Sequence, residues 1–231
     1  MSLILNLFFP PKCGFCGKIE DISSEKFICD KCLNKIESYR LKSKIDEEVY
    51  SIYEYKSVIR NAILDYKFRD KSYLYKTFKT CILFDKKVCN FINSYDIISP
   101  VPLYYSRFLE RGYNQTALIC KELSKYTDIA YLATLDKVKN IKPQPTKDLA
   151  HRLSDVIGVY KLKQSVDISD KKVLIFDDVL TTGATTRECK KELLRGGAKS
   201  VGILTLARGI DNKKIKGEYN EQNYRWNNGL C

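Results

Sequence analysis

The sequence predicts an α/β fold with a parallel sheet, preceded by a small cysteine-rich module. Two stretches run from a short apolar strand through a polar loop into a helix, one over residues 96–126 and one over residues 173–195. Strands and helices alternate from residue 96 onward, which is typical of parallel β-α units with right-handed crossovers. Four cysteines in two closely spaced pairs lie apart from this pattern, within residues 12–35. We therefore expect one main domain and a separate N-terminal unit.

Length, charge and cysteine content narrow the class of protein. A chain of 231 residues is long enough for a main domain with a sizeable core and one small module. The formal net charge of +12 suits phosphorylated ligands or nucleic acid, although a general abundance of lysine explains it equally well. Five of the nine cysteines are scattered without pairing spacings, which favours a reducing cytoplasm over a disulfide framework.

The first residues predict neither a signal peptide nor a membrane span. Leu3–Phe9 is apolar, but it is short, has no basic region before it and runs into Pro10 and Pro11. We expect this segment to form a short helix that packs on the main domain, and we expect no membrane insertion anywhere in the chain.

The N-terminal module has the pattern of a zinc site. Cys13 and Cys16 form one Cys-x-x-Cys pair, Cys29 and Cys32 form the second, and 12 residues separate the pairs. Four thiolates at this spacing suit tetrahedral Zn²⁺ of the zinc-ribbon type. Four protein ligands leave no open coordination position, so the predicted role is structural, and metal binding supplies much of the folding free energy. The sequence leaves open a second role as a contact surface for a partner.

The segment after this module predicts a strand and two helices. Val49–Tyr55 alternates as a strand does, and Val58–Tyr66 has apolar residues at helical spacing. A basic turn, Lys67–Lys71, separates this helix from a second one over Ser72–Asn93. The turn has enough positive charge to meet a phosphate, although a solvated loop is the plainer interpretation.

The first strand–loop–helix unit offers cations. The predicted strand Asp96–Pro100 leads into a loop that carries Arg107, Arg111 and Gly112, and a helix follows over Thr116–Tyr126. Arginines bind polyanions through several hydrogen bonds at once, so this loop suits a phosphate-rich ligand.

Residues 130–160 and the chain end are less regular. Ala130–Leu135 predicts a strand, and the segment around Pro143 and Pro145 predicts a loop, because two prolines so close together break regular structure. Lys199–Ala207 predicts another buried strand. Residues 210–231 are polar and resemble a tail with little core.

The second strand–loop–helix unit is the most informative stretch. An apolar strand, Val173–Phe176, leads into Asp177 and Asp178, and a helix follows over Arg187–Arg195. Between them lies a small loop rich in hydroxyl groups, formed by Thr181, Thr182, Gly183, Ala184 and Thr185. Unpaired N–H groups and the dipole at a helix N-terminus favour an anion, and a glycine lets the backbone approach it. An N-capping threonine is the plainer alternative, but it explains one hydroxyl and neither carboxylate. Paired carboxylates beside a phosphate cradle suit a ribose phosphate that carries Mg²⁺.

This stretch resembles the phosphoribosyl pyrophosphate (PRPP) loop of type I phosphoribosyltransferases. The resemblance implies that Asp177 and Asp178 are the catalytic acidic pair and hold the ribose hydroxyls. It also implies that Thr181–Thr185 hold the 5-phosphate, and that Arg107, Arg111 and Gly112 meet the pyrophosphate.

The string from Pro100 to Gln115, together with the four cysteines, narrows the resemblance to the ComF family. In that family Gln144, Leu149 and Arg152 match a mobile loop that closes over substrate, whereas Asp155 stands where an Asn is usual. The resemblance implies three parts, residues 1–35, 47–208 and 210–231, and it extends from about residue 3 to residue 208.

The resemblance also implies a biological setting. ComF-like proteins are associated with DNA uptake in natural transformation, which implies a cytoplasmic protein that binds PRPP and handles incoming single-stranded DNA. Two alternatives stay open at this point: an active phosphoribosyltransferase that transfers phosphoribose to an unknown base, and a zinc module that docks a helicase-like partner. The sequence does not identify the acceptor base.

Overall fold

The structure, a computed structural model, describes residues 10–19, 22, 26–41, 47–140 and 156–209. In these residues strands and helices alternate. The strands are β1 (Val49–Glu54), β2 (Ile97–Pro100), β3 (Ala130–Tyr131), β4 (Leu135–Lys137), β5 (Tyr160–Leu162), β6 (Lys172–Leu180) and β7 (Ser200–Arg208). The helices are α1 (Asp30–Glu37), α2 (Ser57–Phe68), α3 (Leu74–Leu83), α4 (Lys86–Asn93), α5 (Tyr105–Arg111), α6 (Gln115–Leu123) and α7 (Ala184–Arg195).

Five strands form one parallel sheet, which confirms the predicted α/β class. The strand order is β1-β7-β6-β2-β3, and every neighbouring pair is parallel. From β2 the chain continues to one side of the sheet, toward β3, whereas from β6 it continues to the other side, toward β7. Ligands of such sheets bind outside the carboxyl ends of the strands where the order reverses, which here is the edge shared by β2 and β6.

Alternation along β6 divides the core into two parts. Leu174 and Phe176 pack into a cluster built from α1, α2, α3, α4 and α6. Val173 and Ile175 pack on the opposite face, with α7 and the β4-β5 pair. Because successive side chains of a strand point to opposite faces, residues of β6 beyond Phe176 follow the same division.

The strands β4 and β5 form a separate antiparallel pair beside α7. Two carboxylates of α7 hold this pair in place. Glu188 accepts a hydrogen bond from the Gly158 N–H at 2.6 Å, and Glu192 accepts one from the Leu162 N–H at 3.3 Å.

The cysteine-rich module packs directly on α3. A Cβ atom placed on Gly14 would lie 2.3 Å from the Thr77 hydroxyl oxygen, so only glycine fits this contact. The Thr77 hydroxyl in turn donates a hydrogen bond to the Phe27 carbonyl at 2.9 Å. Cys13 and Ile28 belong to the same core cluster as α3, so the module and the main domain share one core.

Several element boundaries differ from the sequence-based expectation. The predicted helix Ser72–Asn93 is two helices, because Asp85 interrupts it and caps α4 by accepting the Lys87 N–H at 2.8 Å. The predicted strand Ala130–Leu135 is split between β3 in the main sheet and β4 in the small one. The strand predicted to end at Phe176 continues to Leu180, because β7 pairs with it along its whole length.

The predictions for Leu3–Phe9 and for residues 210–231 fall outside the described residues. The boundaries 1–35, 47–208 and 210–231 therefore stay predictions. Among the helices that the structure describes, none combines the length and the apolar character needed to cross a bilayer.

Candidate functional site

The two adjacent aspartates lie inside β6 and not in the loop after it. Asp177 is paired in register with Thr205 of β7. Alternation along the strand places Asp178 on the face of Phe176, toward α2 and α6, and Asp177 on the face of Ile175, toward α7. Adjacent in sequence, the two carboxylates therefore have different neighbours.

Asp178 is buried, and both of its carboxylate oxygens have partners. Its side chain is 4% exposed. Lys67 Nζ donates to Oδ1 at 2.6 Å, and Gln115 Nε2 donates to Oδ2 at 2.9 Å. The Gln115 amide oxygen accepts from Arg111 Nη1. Four residues from four different elements thus form one continuous hydrogen-bonded network.

The network is fixed by packing on both sides. The Arg111 guanidinium lies over the Phe68 ring, 5.2 Å from its centroid. The Tyr66 hydroxyl donates to the Gln115 carbonyl at 2.8 Å, and the Tyr113 hydroxyl donates to the Tyr66 carbonyl. Burial lowers the pKa of Arg111, and the Asp178 carboxylate partly offsets this effect.

Asp177 is partly buried and its environment opposes its charge. Burial and the negative charge of Asp178 raise the pKa of Asp177 to about 7, although Lys67 and Lys137 pull it the other way. Its Oδ1 accepts the Asp178 N–H at 2.8 Å. A carboxyl group with so high a pKa, near the carboxyl end of the middle strand of a parallel sheet, is a candidate for a functional group.

Lys137 and Tyr160 extend the site on the α7 side. They are opposite each other in the β4-β5 pair, and the Lys137 ammonium lies 5.8 Å from the centroid of the Tyr160 ring. Burial lowers the pKa of Lys137, while Asp177 is among the negative groups that raise it. Burial raises the pKa of the Tyr160 hydroxyl and the nearby Thr185 side chain lowers it, so this pair lies beside the hydroxyl-rich loop.

The loop Thr181–Thr185 joins β6 to α7 with Gly183 as the N-cap. Gly183 has φ 73°, a left-handed conformation that residues with a side chain adopt at a cost. The Thr182 hydroxyl accepts the Ala184 N–H at 3.3 Å, and Arg187 donates to the Thr182 carbonyl at 2.8 Å. Thr181 is exposed, whereas Ala184 is buried and begins α7. The loop therefore presents the start of α7 at the carboxyl end of β6.

Arg107, Arg111 and Gly112 belong to a short helix and its end, so the expectation of a loop is corrected here. The helix runs from Tyr105 to Arg111, and Gly112, which has φ 75°, caps its C-terminal end. Arg111 belongs to the Asp178 network. Arg107 is exposed and pairs with Glu110 at 2.8 Å. The structure thus brings Arg111 to the acidic pair and leaves Arg107 at the surface.

Gln144 and Arg152 lie outside the described residues, so their predicted place in a closing loop stays a prediction. Of the other predicted residues, the structure brings Asp177, Asp178, Arg111 and the loop to one edge of the sheet. Sequence reasoning missed Lys67, Gln115, Lys137 and Tyr160. The signal for Lys67 was the basic stretch Lys67–Lys71 at the end of a predicted helix. Gln115 ends the string from Pro100 that supports the family resemblance, but the string gave this residue no role.

The four predicted zinc ligands come together. The sulfur atoms of Cys13, Cys16, Cys29 and Cys32 all lie within 4.8 Å of one another. The Cys16 and Cys29 sulfurs are 3.8 Å apart, which matches the edge of about 3.8 Å of a tetrahedron with Zn–S bonds of about 2.3 Å. Burial raises the pKa of Cys13, but hydrogen bonds from the backbone of Cys29, Cys16 and Phe15 bring it down to about 7. The cluster fits a structural zinc ion.

Family models match both parts of the chain. A model described as a double zinc ribbon domain matches residues 4–43, and a model described as a phosphoribosyl transferase domain matches residues 118–228. Together with the parallel sheet, they establish a fold of the phosphoribosyltransferase type with an N-terminal zinc ribbon.

Three curated proteins are similar to the chain over different shares of its length. Competence protein F of Haemophilus influenzae is 28% identical over 203 residues, which cover 86% of this chain and 85% of that protein. Competence protein ComFC of Streptococcus pneumoniae is 30% identical over 158 residues, which cover 68% of this chain and 67% of that protein. DNA utilization protein YhgH of Escherichia coli is 32% identical over 117 residues, which cover 49% of each chain.

Solved structures show more distant likeness. A hypoxanthine phosphoribosyltransferase from Staphylococcus aureus aligns at 14% identity and a TM-score of 0.35, over 58% of this chain and 64% of that chain. A hypoxanthine-guanine phosphoribosyltransferase from Bacillus anthracis aligns at 15% identity and a TM-score of 0.37, over 64% and 76%.

Proposed function

The chain belongs to the ComF family, and on this premise we propose that it binds PRPP, or another phosphorylated ribose, as a cytoplasmic protein of natural transformation. The printed names of two relatives, both competence proteins, support the biological setting. The arrangement at the carboxyl edge of β2 and β6 supports the ligand.

One observation carries the proposal: a partly buried carboxylate, Asp177, lies near the carboxyl end of β6, and a hydroxyl-rich loop follows this strand and opens a helix. The first turn of α7 leaves N–H groups without partners inside the helix, and Thr181–Thr185 add hydroxyls beside them. Asp177 precedes this loop on the α7 side, where a ribose bound by its 5-phosphate presents its hydroxyls. Arg111 lies on the opposite face of β6, with Gln115 and Asp178, where its positive charge would neutralise a second anionic group of the ligand.

The donor set also fits Mg²⁺. Magnesium is usually held by one or two carboxylates together with phosphate oxygens of the substrate. Asp177 offers a carboxylate for this purpose, whereas both oxygens of Asp178 are already in use. When bound, the ion would neutralise charge on the pyrophosphate group.

Turnover is the alternative to simple binding. In that case a ring nitrogen of an acceptor base forms a bond to C1 of the ribose, and the bond from C1 to the pyrophosphate oxygen breaks. The residues of the site would then act by positioning and by charge stabilisation rather than as a nucleophile. Release of pyrophosphate in the presence of a panel of bases distinguishes turnover from binding.

Calorimetry of PRPP binding, with and without Mg²⁺, tests the proposal. Wild type is expected to bind in a metal-dependent manner, and Asp177→Asn is expected to weaken binding about tenfold or more, because a charged hydrogen-bond acceptor for the ribose hydroxyls is lost. Asp136→Asn is the control, since it removes an exposed carboxylate from neighbouring β4. Absence of binding by wild type would refute the proposal.

A surface beside this edge supports contact with single-stranded DNA. No residue of α5 is buried, and Tyr105, Phe108 and Leu109 are 69%, 43% and 61% exposed. Arg107 lies on the same short helix, and Arg111 stacks on the exposed Phe68. Aromatic rings that stack on bases and cations that meet phosphates are the features of single-strand binding. The sequence alone shows no stripe of aromatic and basic residues, because Phe68 comes to lie against Arg111 only in the folded chain.

DNA binding is tested by titrating a fluorescent oligonucleotide at several salt concentrations. Affinity is expected to fall steeply as salt rises, and Phe108→Ala is expected to lower it about fivefold or more through lost stacking. Phe84→Ala is the matched control, because Phe84 is 60% exposed but lies at the end of α3. Affinity that does not respond to salt would contradict this part of the proposal.

A further inference from the structure

The loop Thr181–Thr185 and the exposed helix α5 follow neighbouring strands of the sheet. The loop comes after β6, and α5 comes after β2. Pro100, the last residue of β2, is paired in register with Phe176, which directly precedes Asp177. The Val101 N–H donates to the Phe176 carbonyl at 3.0 Å, so the chain leaves β2 beside the acidic pair. The phosphate loop and the aromatic surface of α5 therefore lie at the same edge of the sheet.

Lys137 connects the two regions electrostatically. Burial lowers the pKa of Lys137, the negative charge of Asp177 raises it, and the positive charge of Arg107 lowers it again. The Lys137 ammonium is therefore close enough to feel both the acidic pair and α5. Since Arg107 lies on α5, these charges lead from the loop side of the site to the exposed helix. A ligand with phosphates spaced along a chain fits this arrangement.

Arg208 places a further cation beside the loop. It ends β7 and is paired in register with Leu180, the residue directly before Thr181. Its Nε atom is buried and has no hydrogen-bond partner within the part of the chain that the structure describes. The carboxylate of Glu54, its register partner in β1, pairs with Lys56. A buried charged donor without a partner is costly, and an anion bound at the loop would relieve this cost.

The loop suits the end of a chain better than its middle. A terminal phosphate has three free oxygens and a charge of about −2, whereas an internal phosphodiester has a single charge and continues on both sides. The start of α7 and the Arg208 guanidinium favour the larger charge. Behind the loop, a Cβ atom placed on Gly183 would lie 3.6 Å from Arg187 Nη1 and 3.8 Å from Leu180 Cδ1. Packed side chains thus back the loop, and a terminal phosphate needs room on one side only.

We infer that the ligand of this site is the 5′-phosphorylated end of a DNA single strand, with its terminal phosphate bound by the loop Thr181–Thr185 and Arg208. The sugar of the first nucleotide lies near Asp177, and the following bases stack on the exposed rings of α5. This inference rests on the proposed function and joins its two ligands, the phosphorylated sugar and the single strand, into one. Binding alone is inferred, and no bond is made or broken.

The test compares oligonucleotides of one sequence that end in a 5′-phosphate, a 5′-hydroxyl or a 3′-phosphate. Each has an internal fluorophore, and anisotropy is measured on the full zinc-loaded chain in Mg²⁺. The 5′-phosphate strand is expected to bind about fivefold or more tightly than the 5′-hydroxyl strand, because charge-assisted hydrogen bonds are gained. The 3′-phosphate strand carries the same added charge and is expected to bind like the 5′-hydroxyl strand. Excess ribose 5-phosphate is expected to remove the preference by occupying the loop.

Two arginine variants locate the preference. Arg208→Gln is expected to reduce it about threefold or more, because the cation beside the loop is lost. Arg195→Gln is the matched control, since Arg195 is an exposed arginine in the last turn of α7, at the opposite end of the helix from the loop. It changes the net charge equally and is expected to keep the whole preference. Phe108→Ala is expected to weaken all three strands alike and to leave the preference unchanged.

Each outcome decides the inference. A 5′-phosphate preference that Arg208→Gln loses and Arg195→Gln keeps supports it. Equal binding of the 5′-phosphate and 5′-hydroxyl strands overturns it, and so does equal binding of the 5′-phosphate and 3′-phosphate strands, because charge alone would then decide. PRPP binding by the same protein would show that the proposed function stands in either case. A preference that Arg208→Gln keeps overturns the assignment of Arg208. If wild type binds neither PRPP nor any strand, the proposed function fails and this inference fails with it.

Discussion

Asp177 and Asp178 differ in role because β6 carries them to opposite faces of the sheet. Asp178 is stabilised as an anion by Lys67 and by the Gln115 amide. Burial and the negative charge of Asp178 instead destabilise the ionised form of Asp177 and raise its pKa to about 7. A carboxyl with a raised pKa keeps its proton in the folded protein after the unfolded chain, with a pKa of about 4, has lost it. The stability that Asp177 contributes is therefore present below pH 4 and is lost as the pH rises to about 7.

Asp177→Asn is accordingly expected to stabilise the unliganded protein at pH 8, on the order of 1 to 3 kcal/mol in the free energy of unfolding, because it removes this opposed charge. Asn keeps an oxygen that can accept the Asp178 N–H. The gain is expected to shrink as the pH falls toward 5. Urea denaturation of both proteins at the two pH values, with zinc present, measures it. Asp136→Asn, with no pH-dependent gain, is the control; an equal gain at both pH values would contradict the expectation.

Single residues also show where sequence reasoning ends. The cysteine spacing and the Asp-Asp and Thr-Thr-Gly strings are local patterns, so Cys13–Cys32 and Asp177–Thr185 were identified from the sequence. Lys67 and Gln115 acquire their place from contacts with Asp178 that span 111 and 63 residues. No local pattern encodes such a contact, and a lysine in a basic turn is most often a solvated one.

At the scale of elements, the sequence predicted most strands and helices and misplaced their ends. The apolar run Val173–Phe176 predicted β6, but β6 reaches Leu180, because Arg208 at the end of β7 pairs with Leu180. That extension is what divides the two aspartates between faces. Helix α5 was missed because an exposed seven-residue helix has no apolar stripe to reveal it. Boundaries depend on the pairing partner, which a segment does not contain.

The element that connects the zinc module to the site is α3. Its Thr77 and Leu74 contact Gly14, and its Phe78 lies against Tyr66 of α2, with ring centroids 5.5 Å apart. Tyr66 precedes Lys67 and donates to the Gln115 carbonyl at 2.8 Å. Contacts thus lead from the cysteine-rich module through α3 and Tyr66 to Gln115 of the Asp178 network.

At the scale of the whole molecule, this series of contacts reaches the Asp178 network and not the loop Thr181–Thr185. The loop Thr181–Thr185 lies at the start of α7, which packs on the opposite face of the sheet from α2 and α3. A change in how the zinc module packs on α3 is therefore expected to shift Lys67 and Gln115 and to leave the loop in place.

Removing zinc with a strong chelator is expected to weaken pyrophosphate binding about fivefold or more, with little change in ribose 5-phosphate binding, because the unfolded module no longer supports α3. Calorimetry with both probes before and after chelation measures this, and adding zinc back is expected to restore the lost affinity. Gly14→Ala provides an independent route: its Cβ would meet Thr77 and Leu74, so the module is displaced while its four thiolates keep the metal. The same selective loss in this variant would establish that the contact, rather than the metal itself, controls the site. Equal loss of both probes would instead indicate general unfolding, and unchanged binding would show that the zinc module and the Asp178 network act independently.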